Sequence, residues 1–145
     1  MSHSKPEVYL HYVWATWQRE PIVTAEWENR IHGCIRGEIE RLDCEVLAIG
    51  GMPDHVHVVV KLNPKEPIAK LAKQAKAVTS RMVNAHRPDA DFFKWQRGYG
   101  VFSLSGPHVD RAIAYVNNQK RRHADNKIWV AWEFSGNDAD ETPDE

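Results

Sequence analysis

Only five residues, Gly50-Gly51-Met52-Pro53-Asp54, separate two runs of strand-forming residues, Glu45 to Ile49 and His55 to Leu62. Their composition is that of a turn. A parallel crossover needs about a dozen residues or more, so the two strands must pair antiparallel as a hairpin. Asn63-Pro64 closes the second strand, because proline cannot continue the ladder. The rest of the chain has to be arranged around this pair.

Val8 to Thr16 is rich in aromatic and β-branched residues, with Leu10, Tyr12 and Trp14 on one side of the alternation, and predicts a first strand ended by Glu20-Pro21. Thr24 has the chemistry of an N-cap, and Trp27, Ile31, Ile35, Ile39 and Leu42 then recur at helical spacing. Ile68, Leu71, Ala72, Ala75, Val78, Thr79 and Met82 form the stripe of a second helix, with Lys70, Lys73 and Arg81 facing away. Arg87 to Gly98 reads as a loop, Tyr99 to Leu104 as a short fourth strand. Ser105-Gly106-Pro107 opens a third helix running to about Arg122. Ile128 to Phe134 is a short strand or a packed arm. The order strand, helix, hairpin, helix, strand, helix suits an α+β sandwich, an antiparallel sheet with helices packed on it.

The 145 residues are enough for one core, and 42 % hydrophobic residues can fill it. The reading is a single domain over residues 1–135 and an acidic, disordered tail over 136–145. No apolar run approaches the roughly 20 residues that span a bilayer, and Met1 to Glu7 lacks a signal core, so a soluble cytoplasmic protein is expected. Cys34 and Cys44 read as reduced and structural. The net charge of −1 conceals a division: residues 61–122 carry 13 Lys/Arg against 4 Asp/Glu, and residues 123–145 carry 1 against 7. A basic central stretch suits a phosphate backbone, although a solvated helix face would look the same.

On the strand after the turn, Val56, Val58 and Val60 share one face, and His55 and His57 share the other. At that step their Cβ atoms lie about 6–7 Å apart, close enough for two imidazoles to converge on one cation. The bland alternative is two polar residues on a half-buried strand. In the third helix Val109, Ala112, Ile113 and Val116 make the apolar stripe. The opposite stripe holds Arg111, Tyr115, Asn118, Gln119 and Arg122, which would direct the phenol away from the core beside the Gln119 amide.

Three segments carry a family resemblance: Pro-Asp-His-Val-His with its valine run (53–60), Trp-Gln-Arg-Gly-Tyr-Gly-Val-Phe-Ser-Leu-Ser (95–105) and Ala-Tyr-Val-Asn-Asn-Gln (114–119). In this order the chain resembles the single-tyrosine, His-hydrophobic-His transposases of small bacterial insertion sequences, with the REP-associated tyrosine transposases a close branch. His11 to Trp14 and Arg19-Glu20-Pro21 fit the opening strand, so the likeness runs over roughly residues 9–123. Trp17 departs from it, since the family often carries lysine there, and the acidic tail is no part of it.

The resemblance implies a ferredoxin-like (RRM-like) fold with the catalytic Tyr115 on a C-terminal helix. It implies His55, His57 and Gln119 as metal ligands, and a homodimer acting on single-stranded DNA, including hairpin-bearing element ends, at the nucleoid. The expected reaction cleaves and rejoins single-stranded DNA through a covalent 5′-phosphotyrosine. Mixed nitrogen and oxygen ligands with open positions suit Mg²⁺ or Mn²⁺. The expected DNA path crosses Lys70, Lys73, Lys76 and Arg81, with Arg111 and Arg122 near the scissile phosphate, and Trp95 and Arg97 among the aromatic and basic residues that would hold unpaired bases, core packing being the alternative for the aromatics. Two competing readings are a domesticated, non-catalytic single-stranded nucleic-acid-binding protein and a metal-dependent hydrolase using water as nucleophile.

Overall fold

Aromatic and β-branched alternation makes Tyr9–Ala15 (β1) an internal strand of a four-stranded antiparallel sheet. The structure, a computed structural model, describes residues 4–87, 92–133 and 143–144. After a short 3-10 turn at Trp17–Arg19 come α1 (Glu28–Glu40), β2 (Glu45–Met52), β3 (His55–Lys61) and α2 (Ile68–His86). A two-residue strand, β4 (Trp95–Gln96), precedes β5 (Gly100–Leu104). Then follow α3 (Val109–Asn117), α4 (Gln119–Ala124), α5 (Val130–Glu133) and β6 (Pro143–Asp144). The sheet order β2-β3-β1-β5, with α1 and α2 in the connections, is the ferredoxin-like arrangement expected from the sequence.

Leu10, Tyr12 and Trp14 of β1 and Val56, Val58 and Val60 of β3 point to one face, where Ile31, Ile35 and Ile39 of α1 and Leu71, Ala72 and Ala75 of α2 cover them. The other face is also covered. Ala48 and Val59 pack there against Ala112, Tyr115 and Val116 of α3. Every residue of β3 from His55 to Val60 is therefore buried, whichever way it points. The sheet is the middle of three layers, and the histidine face is an interior one.

Several local expectations change. The hairpin turn is only Pro53-Asp54, because Gly50, Gly51 and Met52 continue β2 and pair with His57, Val56 and His55. Thr24 does not cap α1; its carbonyl accepts from Trp27 and Glu28 in a preceding turn, and the helix starts at Glu28. Ile68 lies exposed at the start of α2, and Lys76 and Val83 join the buried face instead. The third helix breaks at Asn118, whose backbone sits at φ −111°, ψ 25°, so residues to Asn117 and from Gln119 form two helices. Ile128 to Phe134 is described to Glu133 and contains the short α5. Of the acidic tail only Pro143–Asp144 is described, pairing with Trp95–Gln96. Both cysteines are free. Among the described residues no helix is long and apolar enough to cross a membrane.

Gly50 sets how closely α3 approaches. A Cβ added there would meet the Val116 carbonyl oxygen at 2.1 Å, a backbone atom that cannot rotate away. Gly50→Ala is expected to destabilise the fold by roughly 1–3 kcal/mol or more in urea unfolding, because α3 must lift from the sheet. Gly33 of α1 has nothing within 4 Å of such a Cβ, and Gly33→Ala is expected to stabilise by about 0.5–1 kcal/mol.

Candidate functional site

The alternation of β3 sends His55 and His57 to the face beneath α3 and α5, where their rings lie 5.0 Å apart. Each has its Nδ1 engaged. His55 Nδ1 meets Asp54 Oδ1 at 2.8 Å, and His57 Nδ1 meets His11 Nε2 at 2.8 Å. His11 reaches it from β1, the strand next to β3. With both Nδ1 atoms occupied, both Nε2 atoms are left to face the space between sheet and helices. Fixing one ring nitrogen in this way selects the tautomer and orients the other.

Gln119, at the start of α4, places Oε1 3.2 Å from His55 Nε2. His123, one turn later, brings Nε2 to 3.1 Å from the same oxygen. Tyr115 ends α3 on the same side, its ring 5.7 Å from that of His57 and edge-on to it. Sequence periodicity placed this phenol on an exposed polar stripe; the structure buries it completely. The reason is that α3 has two covered sides, since Val116 lies on the sheet while Tyr115 lies between the sheet and the segment after α4. Trp129 stacks on the phenol at 4.9 Å and 23°, Trp132 meets it edge-on at 5.2 Å, and the Arg122 guanidinium lies 4.8 Å over its ring.

The same segment delivers Glu133. Its Oε1 lies 3.0 Å from His55 Nε2 and 3.1 Å from His123 Nε2, and its Oε2 lies 3.1 Å from His57 Nε2 and accepts the Tyr115 hydroxyl proton. The contact with His57 lacks hydrogen-bond alignment, which leaves His57 Nε2 a buried nitrogen without a hydrogen-bond partner among the described residues. Donor atoms of His55, His57 and Glu133 all lie within 4.8 Å of one another, close enough to share one cation.

The protein groups give the two histidines opposite characters. Burial alone would lower His55, but Asp54 and Glu133 overcome it and push it up to about 9. Burial dominates at His57 and lowers it to about 4 despite Glu133. His11 falls to about 3 through burial and the neighbouring His57. Burial and Glu133 push Tyr115 up to about 12. Burial would raise Glu133, but His55, His57 and Tyr115 hold its carboxyl well below the usual range.

A cleft of about 330 Å³ reaches His55 from outside, lined by Arg19, Asp54 and His123 among others. Gln18 and Arg19 both have left-handed backbone, at φ 50° and 56°, a conformation that costs about 1 kcal/mol or more for each. This strained turn aims Arg19 at the site, where Nη2 donates to the Glu133 carbonyl at 3.4 Å.

His55, His57, Gln119 and Tyr115 thus meet within one chain. The expected DNA contacts do not all join them. Lys76 is buried, with Nζ donating to the Gln96 and Gly98 carbonyls at 2.9 Å each, so it braces the β4–β5 segment and presents no charge to solvent. Trp95 is also buried, edge-on to Trp14 and Phe93, and has no free face for a base. Lys70, Lys73 and Arg81 are exposed, but α2 lies on the face of the sheet away from the histidines. Lys70 also pairs with Glu66 at 3.0 Å. Arg97 and Arg111 are exposed, and Arg122 sits on the tyrosine. Glu133, His123 and the His11 contact were missed. Only Glu133 left a trace, as a lone carboxylate among the aromatic residues of an otherwise unassigned arm.

Residues 4–119 match the family described as IS200-like transposases. The chain is 24 % identical over 118 residues to the ISDra2 transposase TnpA of Deinococcus radiodurans, covering 78 % of this chain and 84 % of that protein. A Deinococcus radiodurans R1 crystal structure classed as a transposase superposes with a TM-score of 0.65 at 20 % identity, covering 88 % and 95 % of the two chains. A REP-associated tyrosine transposase bound to a REP hairpin superposes with a TM-score of 0.62 at 11 % identity, covering 88 % and 76 %.

Lys76→Ala is expected to cost about 1–3 kcal/mol in urea unfolding, because two carbonyls lose a charged donor. Its affinity for an oligonucleotide, by fluorescence anisotropy, is expected to stay within about twofold of the parent, whereas a phosphate contact would weaken it and flatten the salt dependence.

Proposed function

The chain belongs to the IS200-like transposase family, and from that footing we propose that it cleaves and rejoins single-stranded DNA through a covalent bond from Tyr115 to a 5′ phosphate. The observation that carries this reading is the meeting, in one chain, of the Tyr115 ring with His57 at 5.7 Å and of Gln119 Oε1 with His55 Nε2 at 3.2 Å.

The residues fit a divalent cation. His57 Nε2 is buried without a hydrogen-bond partner among the described residues, and both imidazoles are anchored through Nδ1. In this reading His55, His57 and Gln119 hold Mg²⁺ or Mn²⁺, hard enough for an amide oxygen and tolerant of imidazole. Such an ion supplies positive charge that favours the phenolate and polarises a phosphoryl oxygen. The protein's own part is positional. Trp129 and Arg122 fix the phenol ring, while Asp54 and His11 fix the imidazoles.

In the reaction the Tyr115 oxygen bonds to phosphorus as the bond to the 3′ oxygen breaks. The phenol gives up one proton and the departing 3′-hydroxyl takes one up. The phosphotyrosine conserves the phosphodiester bond, so another 3′-hydroxyl can reverse the step without a nucleotide cofactor. A relative by fold that is bound to a REP hairpin supports hairpin-bearing single-stranded DNA as the partner. Arg19, which reaches the Glu133 carbonyl, and Arg122, over the tyrosine ring, are cations that would meet its phosphates there, and Phe92, 67 % exposed, is an aromatic on which a base could stack. The reading takes residues 1–135 as one catalytic domain and pairs two chains, each with a site complete in itself.

The burial of Tyr115 favours a second reading, binding of single-stranded nucleic acid without cleavage. One experiment separates the two. Purified protein mixed with labelled single-stranded oligonucleotides carrying hairpins, with Mg²⁺ or Mn²⁺, is expected to give an SDS-resistant adduct. Tyr115→Phe is expected to abolish that adduct while still retarding the DNA in native gels. Binding with no adduct under either metal would select the non-catalytic reading, and adduct-free cleavage surviving Tyr115→Phe would select water as nucleophile.

A further inference from the structure

Residues 127–133 lie beyond the stretch that matches the family, yet they reach the centre of the site. We propose that Glu133 is a metal ligand of the DNA-free protein, held by the C-terminal arm in the place that the scissile phosphate later takes. This rests on the reading of His55 and His57 as metal ligands.

Three observations carry it. First, the carboxylate spans both imidazoles, with Oε1 3.0 Å from His55 Nε2 and Oε2 3.1 Å from His57 Nε2. Cis ligands of one hard divalent cation stand about 3 Å apart, because each bond is about 2.1 Å long. Gln119 Oε1 has the same relation to His55, at 3.2 Å. Glu133 therefore completes a two-histidine, one-carboxylate set, to which an amide adds a fourth donor. An anionic ligand also offsets the cost of placing a dication among neutral donors.

Second, Oε2 accepts the Tyr115 hydroxyl. A group that touches both the nucleophile and the cation ligands stands where a phosphate must stand to be attacked. Carboxylate and phosphate both present two anionic oxygens, so one can replace the other with similar contacts.

Third, the arm is built to be displaced. Trp129 and Trp132 pack on Tyr115, and the Trp129 amide donates to its hydroxyl at 3.1 Å. Beyond these, α5 is a four-residue helix, with Val130 79 % exposed. Few buried contacts hold a segment weakly. Residues 123–145 carry 1 Lys/Arg against 7 Asp/Glu, so DNA and the arm compete for the same positive site.

The test titrates Mn²⁺ calorimetrically into the DNA-free full chain and into Glu133→Gln, which keeps the size of the side chain. Affinity is expected to fall about tenfold or more. At Mn²⁺ concentrations saturating for each protein, Glu133→Gln is expected to form the tyrosine adduct at least as fast as the parent. Trp129→Ala, which loosens the arm and leaves the carboxylate intact, is expected to weaken Mn²⁺ binding in the same direction. Two results would overturn the proposal: Mn²⁺ affinity of Glu133→Gln within about twofold of the parent, or loss of the adduct at saturating Mn²⁺ with DNA binding intact. The underlying reading fails separately, through His55→Ala leaving Mn²⁺ affinity unchanged.

Discussion

Helix α3 lies against the second face of the sheet, and the site exists because it lies so close. The approach depends on Gly50, where the Val116 carbonyl occupies the space of a missing side chain. Without that contact β3 would have one dry face and one wet one, and its histidines would be solvated. With it, His55 and His57 are enclosed, Tyr115 comes down beside His57, and Gln119 reaches His55. The break at Asn118 matters for the same reason. It lets the chain turn after Tyr115 while Gln119 and His123 stay aimed at the same point.

Enclosure also differentiates groups that look identical in sequence. His11, His55 and His57 are all buried, yet only His55 is pushed up, to about 9, because Asp54 and Glu133 flank it. His57 and His11 are pushed down, to about 4 and 3, chiefly by burial, and share a hydrogen bond. If His57 is to offer a lone pair at Nε2, its Nδ1 must donate and His11 Nε2 must accept. The inner β1 histidine thereby decides which nitrogen of its neighbour is available.

Much of the fold was legible because its signals are local. The short link before His55 forced an antiparallel hairpin, and the Ile31–Ile35–Ile39 spacing forced an amphipathic helix. The alternation along β3 placed His55 and His57 on the face opposite Val56, Val58 and Val60, as observed. Tyr115 was misjudged because a helix period distinguishes apolar from polar stripes, not one covered side from two. Lys76 was misjudged similarly: a lysine is read as solvated unless something shows carbonyls waiting for it, and Gln96 and Gly98 supply theirs from a segment with no regular period. Trp95 followed the same logic, since interleaved aromatic and basic residues look alike whether they serve a core or a base. Glu133 could not have been found at all by periodicity. It depends on an arm folding back over α3, and that is decided by Trp129 and Trp132 finding the phenol.

The arrangement has an electrostatic consequence that orders the events of substrate binding. Two unit negative charges about 4 Å apart repel by about 4 kcal/mol at an effective dielectric of about 20. A phosphodiester approaching Tyr115 with the Glu133 carboxylate in place would meet a penalty of that order. It would also find the hydroxyl already engaged as a donor and pushed up to about 12. Arg19 and Arg122 offset part of the repulsion but cannot remove the steric overlap, because the carboxylate fills the space in front of the phenol. Phosphate and carboxylate must therefore exclude one another. On the proposed role of Glu133, binding of DNA and release of the arm become a single exchange, in which the aromatic contacts of Trp129 and Trp132 set the cost.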